Sequence, residues 1–367
     1  MDDDETKIKN FTVIVYKFMS AVLTRWTVRW SRKHPLIACV VVLLAFSASY
    51  AVLNRSKTVS SILAAVGNEI WATPMSQYKW PLEIEAHNVV RDYKAGRLAL
   101  KPITKDNTTI ILYPNKARCG GQPLLTVLVK TRVEDKFNRD LLRRTWVTDL
   151  LSNGLQYSFL IGECKEKSCQ TALEAEVAEH GDLLQGGFVD SYLNNTLKFT
   201  VGLKYMAYRC NASRYTLIID GDYSLNVNRL LQYLRDANYP KDLLAGRVWS
   251  SSRPFRSKYD KHYMSYEFYP FRLLPPFIAA GATLMSVEII EPMLIIAKFT
   301  KSVDFDDVFY GMVARKLGIT LRDETKLLPS WWVPELADRE KHRNIIGSHR
   351  LGNLKEVELI HSIIHSD

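Results

Sequence analysis

From residue 118 onward, short apolar runs alternate with amphipathic stretches. "LLTVLVK" (124–130) reads as a buried strand, "RDLLRRTWVTDLL" (139–151) as one helix and "YSFLIG" (157–162) as a second strand. "SCQTALEAEVAEHG" (168–181) and "TLKFTVGLKYMAYRC" (196–210) carry helical spacing, and "RYTLIID" (214–220) closes the series as a third strand. Strands separated by helices of this length predict an α/β sheet covered on both faces. Before it, residues 54–117 mix Ser, Thr, Lys and aromatic residues with weak periodicity, so they read as a stem, with Trp71 and Trp80 free to dock on a globular domain at 118–367.

The pattern changes again near the N-terminus. Residues 35–53, "PLIACVVVLLAFSASYAVL", hold no charge over 19 positions, long enough to cross a bilayer as a helix. A signal peptide has a shorter apolar core and a shorter basic lead than the 34 residues found here, so a membrane anchor is the better reading. Arg25, Arg29, Arg32 and Lys33 crowd its N-terminal flank, against Arg55 and Lys57 on the other side. The positive-inside rule therefore keeps the tail, residues 1–34, in the cytosol and sends the rest into the secretory lumen. "FTVIVYKFMSAVLTRW" (11–26), interrupted by Lys17, reads as an interfacial helix.

Composition fits that compartment. The chain is 47% hydrophobic and 24% charged, which are globular proportions. Asn107, Asn194 and Asn211 each head a glycosylation sequon, and Cys119, Cys164, Cys169 and Cys210 lie beyond the anchor. Four cysteines allow three pairings; the preferred one joins Cys119 to Cys210 and lets Cys164 and Cys169 close a short loop. The formal net charge of +10 is carried mostly by the lumenal part. A basic domain suits anionic ligands such as nucleotide diphosphates, and the scattered basic residues form no nucleic-acid-binding motif.

The densest candidate chemistry lies in "LIIDGDYSLN" (217–226), where a buried strand runs into Asp220 and Asp222 with only Gly221 between them. Asp-Gly flanked by apolar runs is also a two-residue hairpin signal. Open α/β sheets, however, bind ligands at the carboxyl ends of their strands. Two carboxylates there suit a hard divalent cation, Mn²⁺ or Mg²⁺, which neutralises a diphosphate.

Further motifs share that register: "RDLLRRTW", "FLIG", "HGDLLQGGFVDSYLNNTLK", "EFYPFRLLPPFIAAGATLMS", "DDVFYG" and "IIGSH". Together, from Cys119 to His349, they resemble glycosyltransferase family 31, the β1,3-galactosyltransferases and β1,3-N-acetylglucosaminyltransferases, with the greatest likeness to Brainiac-type enzymes. The resemblance implies a GT-A type, Rossmann-like mixed sheet behind a single Golgi signal-anchor. It implies transfer, with inversion, of N-acetylglucosamine or else galactose from a UDP-sugar to a glycolipid or glycoprotein glycan. It also implies roles: Asp222, Asp220 and His349 at the metal, with Asp220 also toward the ribose; Arg139, Arg143 and Gly281 toward the nucleotide sugar; Asp306 and Glu267 toward the acceptor; Asp307 as general base.

Two positions depart from the family pattern. Gly221 stands where the family has the middle of three aspartates, and Asp306 where it has Glu. Those departures leave a membrane-tethered lectin or inactive relative as the competing reading, while a Ca²⁺ module lacks its spaced oxygen ligands. "VDFDDVFYG" also reads as a plain helix start capped by Asp304 or Asp306. The topology makes a direct prediction. Endoglycosidase treatment of the full chain from insect cells should shift its mobility through Asn107, Asn194 or Asn211; a chain carrying no glycan means that the orientation is wrong or the sites are buried.

Overall fold

The computed structural model describes residues 85–105, 108–115, 121–328, 334–349 and 355–366, all within one compact unit, Ala72–Asp367. The apolar stretch 35–53, Trp71, Trp80, Asn107 and Cys119 lie outside the described residues. Among the described residues, no helix is long and apolar enough to cross a membrane.

The strands are β1 (Ile110–Leu112), β2 (Leu125–Lys130), β3 (Gln156–Glu163), β4 (Leu183–Val189), β5 (Tyr215–Asp220), β6 (Tyr223–Leu225), β7 (Leu244–Gly246), β8 (Val248–Trp249), β9 (Phe277–Ile278), β10 (Ala282–Ser286), β11 (Arg322–Asp323), β12 (Leu327–Leu328) and β13 (Gly347–His349). The helices are α1 (Ala86–Lys94), α2 (Lys136–Arg143), α3 (Trp146–Ser152), α4 (Lys167–His180), α5 (Asn195–Tyr208), α6 (Val227–Asp236), α7 (Ile290–Ala297), α8 (Asp306–Lys316), α9 (Arg339–Asn344) and α10 (Lys355–His365).

The main sheet runs β1-β4-β3-β2-β5-β10-β7-β11. Strands β4, β3, β2 and β5 are parallel, while β10 enters antiparallel between β5 and β7. The sheet is thus mixed, as expected. Alternation along each strand divides two apolar layers. Leu128, Leu160, Ile218 and Met285 face α5, α7 and α8, while Val127, Phe159, Leu217 and Leu284 face α2, α3 and α6.

Three local expectations are corrected. The stretch 139–151 is two helices, α2 and α3, because Thr145 leaves helical geometry at φ −114 and ψ −124. Its hydroxyl instead donates to the Leu141 carbonyl at 3.0 Å, which is how Thr competes with a helix from within. Part of the presumed stem belongs to the fold: α1 buries Ala86 and Val89 in the first apolar layer, and β1 forms the sheet edge on β4. The helix start at residue 306 has Phe305 as its N-cap, with neither Asp304 nor Asp306 capping it.

Cys164 and Cys169 form a disulfide. Cys210 is disulfide-bonded as well, and its expected partner Cys119 lies outside the described residues. Of the sequons, Asn211 is exposed, and Asn194 is half-buried with its amide donating to the Val189 carbonyl at 2.7 Å.

The arginines of α2 are also reassigned. Arg139 is 1% exposed, and its guanidinium grips Glu176 of α4 at 2.8 and 2.6 Å while donating to the carbonyls of Arg132 and Val133. Arg143 donates to Glu176, Asp182 and Asp140 at 2.7, 2.8 and 2.6 Å. Neither presents a free guanidinium to a nucleotide; an amphipathic helix here buries its charged face because α4 and β4 supply matching carboxylates. Breaking one partner of a buried pair costs about 3–5 kcal/mol, since an uncompensated charge remains. Glu176→Gln should lower unfolding free energy by about that amount in denaturant titration, and a loss below about 1 kcal/mol contradicts the pairing.

Candidate active site

The candidate residues converge where β2 and β5 end side by side. Parallel register pairs Lys130 with Asp220, so an ammonium and a carboxylate leave the same sheet edge together. Lys130 is buried, with Nζ 3.0 Å from Asp220 Oδ1 and 3.2 Å from Asp306 Oδ2. Burial opposes its charge, but Asp220 and Asp306 outweigh that and hold the ammonium protonated. The sequence reading missed Lys130, although a lysine closing the apolar run "LLTVLVK" was a visible anomaly.

The hairpin reading of Asp-Gly-Asp fails. After β5 the chain turns and continues as β6 into a separate sheet, β12-β13-β6, where His349 pairs with Tyr223. Gly221 fits because its backbone is held from both sides: its N–H donates to the Lys130 carbonyl at 2.8 Å, and its carbonyl accepts from Asn138 Nδ2 at 3.0 Å. A Cβ there lies 2.6 Å from Thr131 Cγ2 and 2.9 Å from Asn138 Nδ2. The missing middle aspartate is therefore matched by neighbours that leave it no room. Trp146 Nε1 braces the same turn by donating to the Tyr223 carbonyl at 3.0 Å, and Asn226 then caps α6 by accepting from the Arg229 N–H.

Ligand atoms of Asp220, Asp222 and His349 all lie within 4.8 Å of one another. His349 Nε2 is 2.9 Å from Asp222 Oδ1, yet that buried oxygen has no aligned hydrogen-bond donor. Two carboxylates and an imidazole, one oxygen orphaned and buried, fit a divalent cation that accepts mixed O/N ligation. Burial pushes the imidazole down, while Asp222 and then Asp220 raise it above its usual value. Its ring stacks on Tyr223 at 4.9 Å.

Across the cluster, α8 starts with Asp306 and Asp307. The expectation that Asp306 meets an acceptor is corrected: it is 5% exposed and bound to Lys130. Asp307 is held differently, accepting from the Val308 and Ala280 N–H groups at 2.7 and 3.3 Å. Desolvation, then the neighbouring Asp306 charge, push its carboxyl up to about 7, against the opposing pull of those amides and Lys130. A carboxyl poised there is suited to exchange protons near neutrality. Gly281 sits between the two groups at φ +140, and a Cβ on it comes 2.9 Å from the Tyr223 hydroxyl. Its carbonyl accepts from the Asp220 N–H at 2.7 Å. Glycine is thus required there both by conformation and by space.

Beside Asp307 stands an aromatic wall that the sequence reading also missed. Tyr192 bonds His262 at 2.9 Å, and the His262 ring lies 5.6 Å from both Phe255 and Phe305. Tyr192 and Phe255 are exposed. Burial and then the Asp307 charge raise the Tyr192 phenol, which places the wall within electrostatic reach of that carboxyl. Asp190 and Lys198, from the same motif as Tyr192, are structural: they pair at 2.7 Å, and Lys198 also donates to the Thr131 carbonyl. Glu267 is exposed and takes no part in the ion pairs around Lys130.

The galactosyltransferase family model matches residues 137–325, just over half of the chain and running from α2 to β11. This chain belongs to the galactosyltransferase family. Among curated relatives, β1,3-galactosyltransferase brn of Drosophila melanogaster is 33% identical over 64% of this chain and 72% of its own length. The Caenorhabditis elegans β1,3-galactosyltransferase bre-5 is 26% identical over 65% and 74% respectively. Human lactosylceramide 1,3-N-acetyl-β-D-glucosaminyltransferase is 28% identical over 68% of each chain. All three are named as β1,3-type sugar transferases, and this galactosyltransferase-family chain is a glycosyltransferase. Its family segment carries Asp220, Asp222, Gly281 and Asp307, while Lys130 and His349 fall outside the matched range.

Proposed function

We propose that the chain is a Golgi-resident type II membrane enzyme that transfers a hexose or N-acetylhexosamine from a UDP-sugar to a glycan hydroxyl in β1,3 linkage, with inversion. The observation that carries this reading is the convergence of Asp220, Asp222 and His349 as one set of ligand atoms at the end of β5 with Asp307, whose carboxyl is raised, at the start of α8. The uncharged stretch 35–53, the basic flank before it and the lumenal sequons support the topology.

Asp222, His349 and Asp220 would hold Mn²⁺, with which mixed N/O ligation is compatible, or else Mg²⁺. Bound there, the cation supplies Lewis-acid neutralisation of the diphosphate leaving group. Lys130 holds the Asp220 carboxylate and the Gly281 carbonyl holds its backbone N–H, which suits Asp220 to meet the ribose as well as the cation. Gly281, whose Cβ position faces the Tyr223 ring, would meet the donor sugar through its backbone. Asp307 accepts the proton of the acceptor hydroxyl as its oxygen bonds the anomeric carbon and the bond to UDP breaks. Tyr192, Phe255 and Phe305 offer ring faces to the apolar face of an acceptor sugar.

For the donor, N-acetylglucosamine is placed ahead of galactose. The relatives' names divide among galactosyl, N-acetylglucosaminyl and N-acetylgalactosaminyl transfer, so a donor panel decides. The full chain, purified in detergent with Mn²⁺ and a mannosyl acceptor, should release UDP from UDP-N-acetylglucosamine faster than from UDP-galactose. EDTA should abolish release and Asp222→Ala should resist rescue by Mn²⁺. Binding of UDP-sugar without release would instead support the glycan-binding, inactive reading that Gly221 and Asp306 leave open.

Asp307→Asn isolates the base. Loss of general-base catalysis lowers kcat by roughly 10² to 10⁴, while UDP affinity in Mn²⁺ should stay near that of the unaltered chain. In the unaltered enzyme, kcat/KM should fall as pH drops below an apparent pKa at or under about 7, because the base must be ionised and a nearby cation favours ionisation. An unchanged kcat, or an equal loss of UDP binding, removes Asp307 from the base role.

A further inference from the structure

Away from the cleft, three ligating side chains meet between two helices. His361 and His365 stand one turn apart on α10, and both Nε2 atoms approach the same oxygen of Asp149 on α3, at 3.2 and 3.0 Å. The two imidazole rings lie 4.6 Å apart at 58°. The three side chains are 22%, 45% and 18% exposed for His361, His365 and Asp149, so the cluster is a rim with one open side.

We propose that Asp149, His361 and His365 form a second divalent-metal site, selective for Zn²⁺ or a similar imidazole-preferring ion and independent of the catalytic cluster. Zn–N and Zn–O bonds of about 2.0–2.2 Å in tetrahedral geometry put neighbouring ligand atoms about 3.3–3.5 Å apart. The observed 3.0 and 3.2 Å fall a few tenths short, which small side-chain rotations supply. Two histidines at i and i+4 project from one helix face, the spacing that lets one helix give two ligands to one ion. The half-exposed His365 leaves the fourth position to water. Without metal, both imidazoles meet one carboxylate oxygen; with metal, all three atoms bind one centre.

The site's role follows from what α10 covers. Val357, Ile360 and Ile363 are buried, and Arg144, at the end of α2, joins Glu358 at 2.9 Å on the surface. Trp146, on the first turn of α3, holds the Tyr223 carbonyl beside Asp222. Zn²⁺ at Asp149 therefore fastens the C-terminal helix to the helix that braces the metal-binding turn. It is a structural metal rather than a reacting one.

The test uses the detergent-purified full chain carrying Asp222→Ala, which removes the catalytic cluster as a competing ligand. After chelator treatment, calorimetric titration with Zn²⁺ should give one equivalent of saturable binding, and Tm should rise with Zn²⁺ concentration. Co²⁺ in its place should give the intense visible absorption of a tetrahedral N/O site. His365→Ala, at a half-exposed position that should still fold, and His361→Asn should each lose the saturable binding, the Tm rise and the Co²⁺ spectrum. Absence of stoichiometric binding, or binding that survives both histidine substitutions, overturns the proposal.

Discussion

The buried ammonium of Lys130 is the constraint around which the cleft is organised. An ammonium removed from water is tolerable only when opposite charges replace its hydration, and here Asp220 and Asp306 do so from opposite sides. One comes from the neighbouring strand and the other from the start of α8, so a single contact fixes the distance between the sheet edge and that helix. The neutralisation is incomplete. Asp222 and Asp307 stand beyond that ammonium, and for Asp307 burial first and the Asp306 charge second raise the carboxyl.

Much of this was legible in the sequence, and the failures share a cause. The strands of 124–130, 157–162 and 214–220 stand out because a parallel, doubly covered sheet demands continuous apolar runs. Asp220 and Asp222 were identifiable because carboxylates ending such a run have few structural reasons to be there. Arg139 and Arg143 were misassigned because periodicity places a side chain on a helix face and says nothing of what packs against it; Glu176 and Asp182 are supplied from 37 and 39 residues away. Lys130 and Asp306 form a pair separated by 176 residues, for which no local pattern exists. The break at Thr145 is likewise a choice between two local hydrogen bonds that the tertiary position of Trp146 decides.

The departures from the family pattern read differently once their surroundings are known. Gly221 is a matched set with Thr131 and Asn138, whose side chains occupy the space of a Cβ. Asp306, shorter than Glu, is still long enough to reach Lys130. Both changes leave the outer carboxylates and the α8 carboxyl in place.

The pairing of β6 with β13 brings together residues 124 positions apart, sealed by the Ser224 and Ser348 hydroxyls at 2.8 Å. During vectorial synthesis, the strands of the main sheet emerge long before His349 does. Loop closure over such a span is slow compared with local folding, so a nascent chain can assemble the sheet and both carboxylates well before the imidazole arrives. The cluster of Asp220, Asp222 and His349 is therefore completed last, and any property that needs all three side chains together requires a chain translated through residue 349.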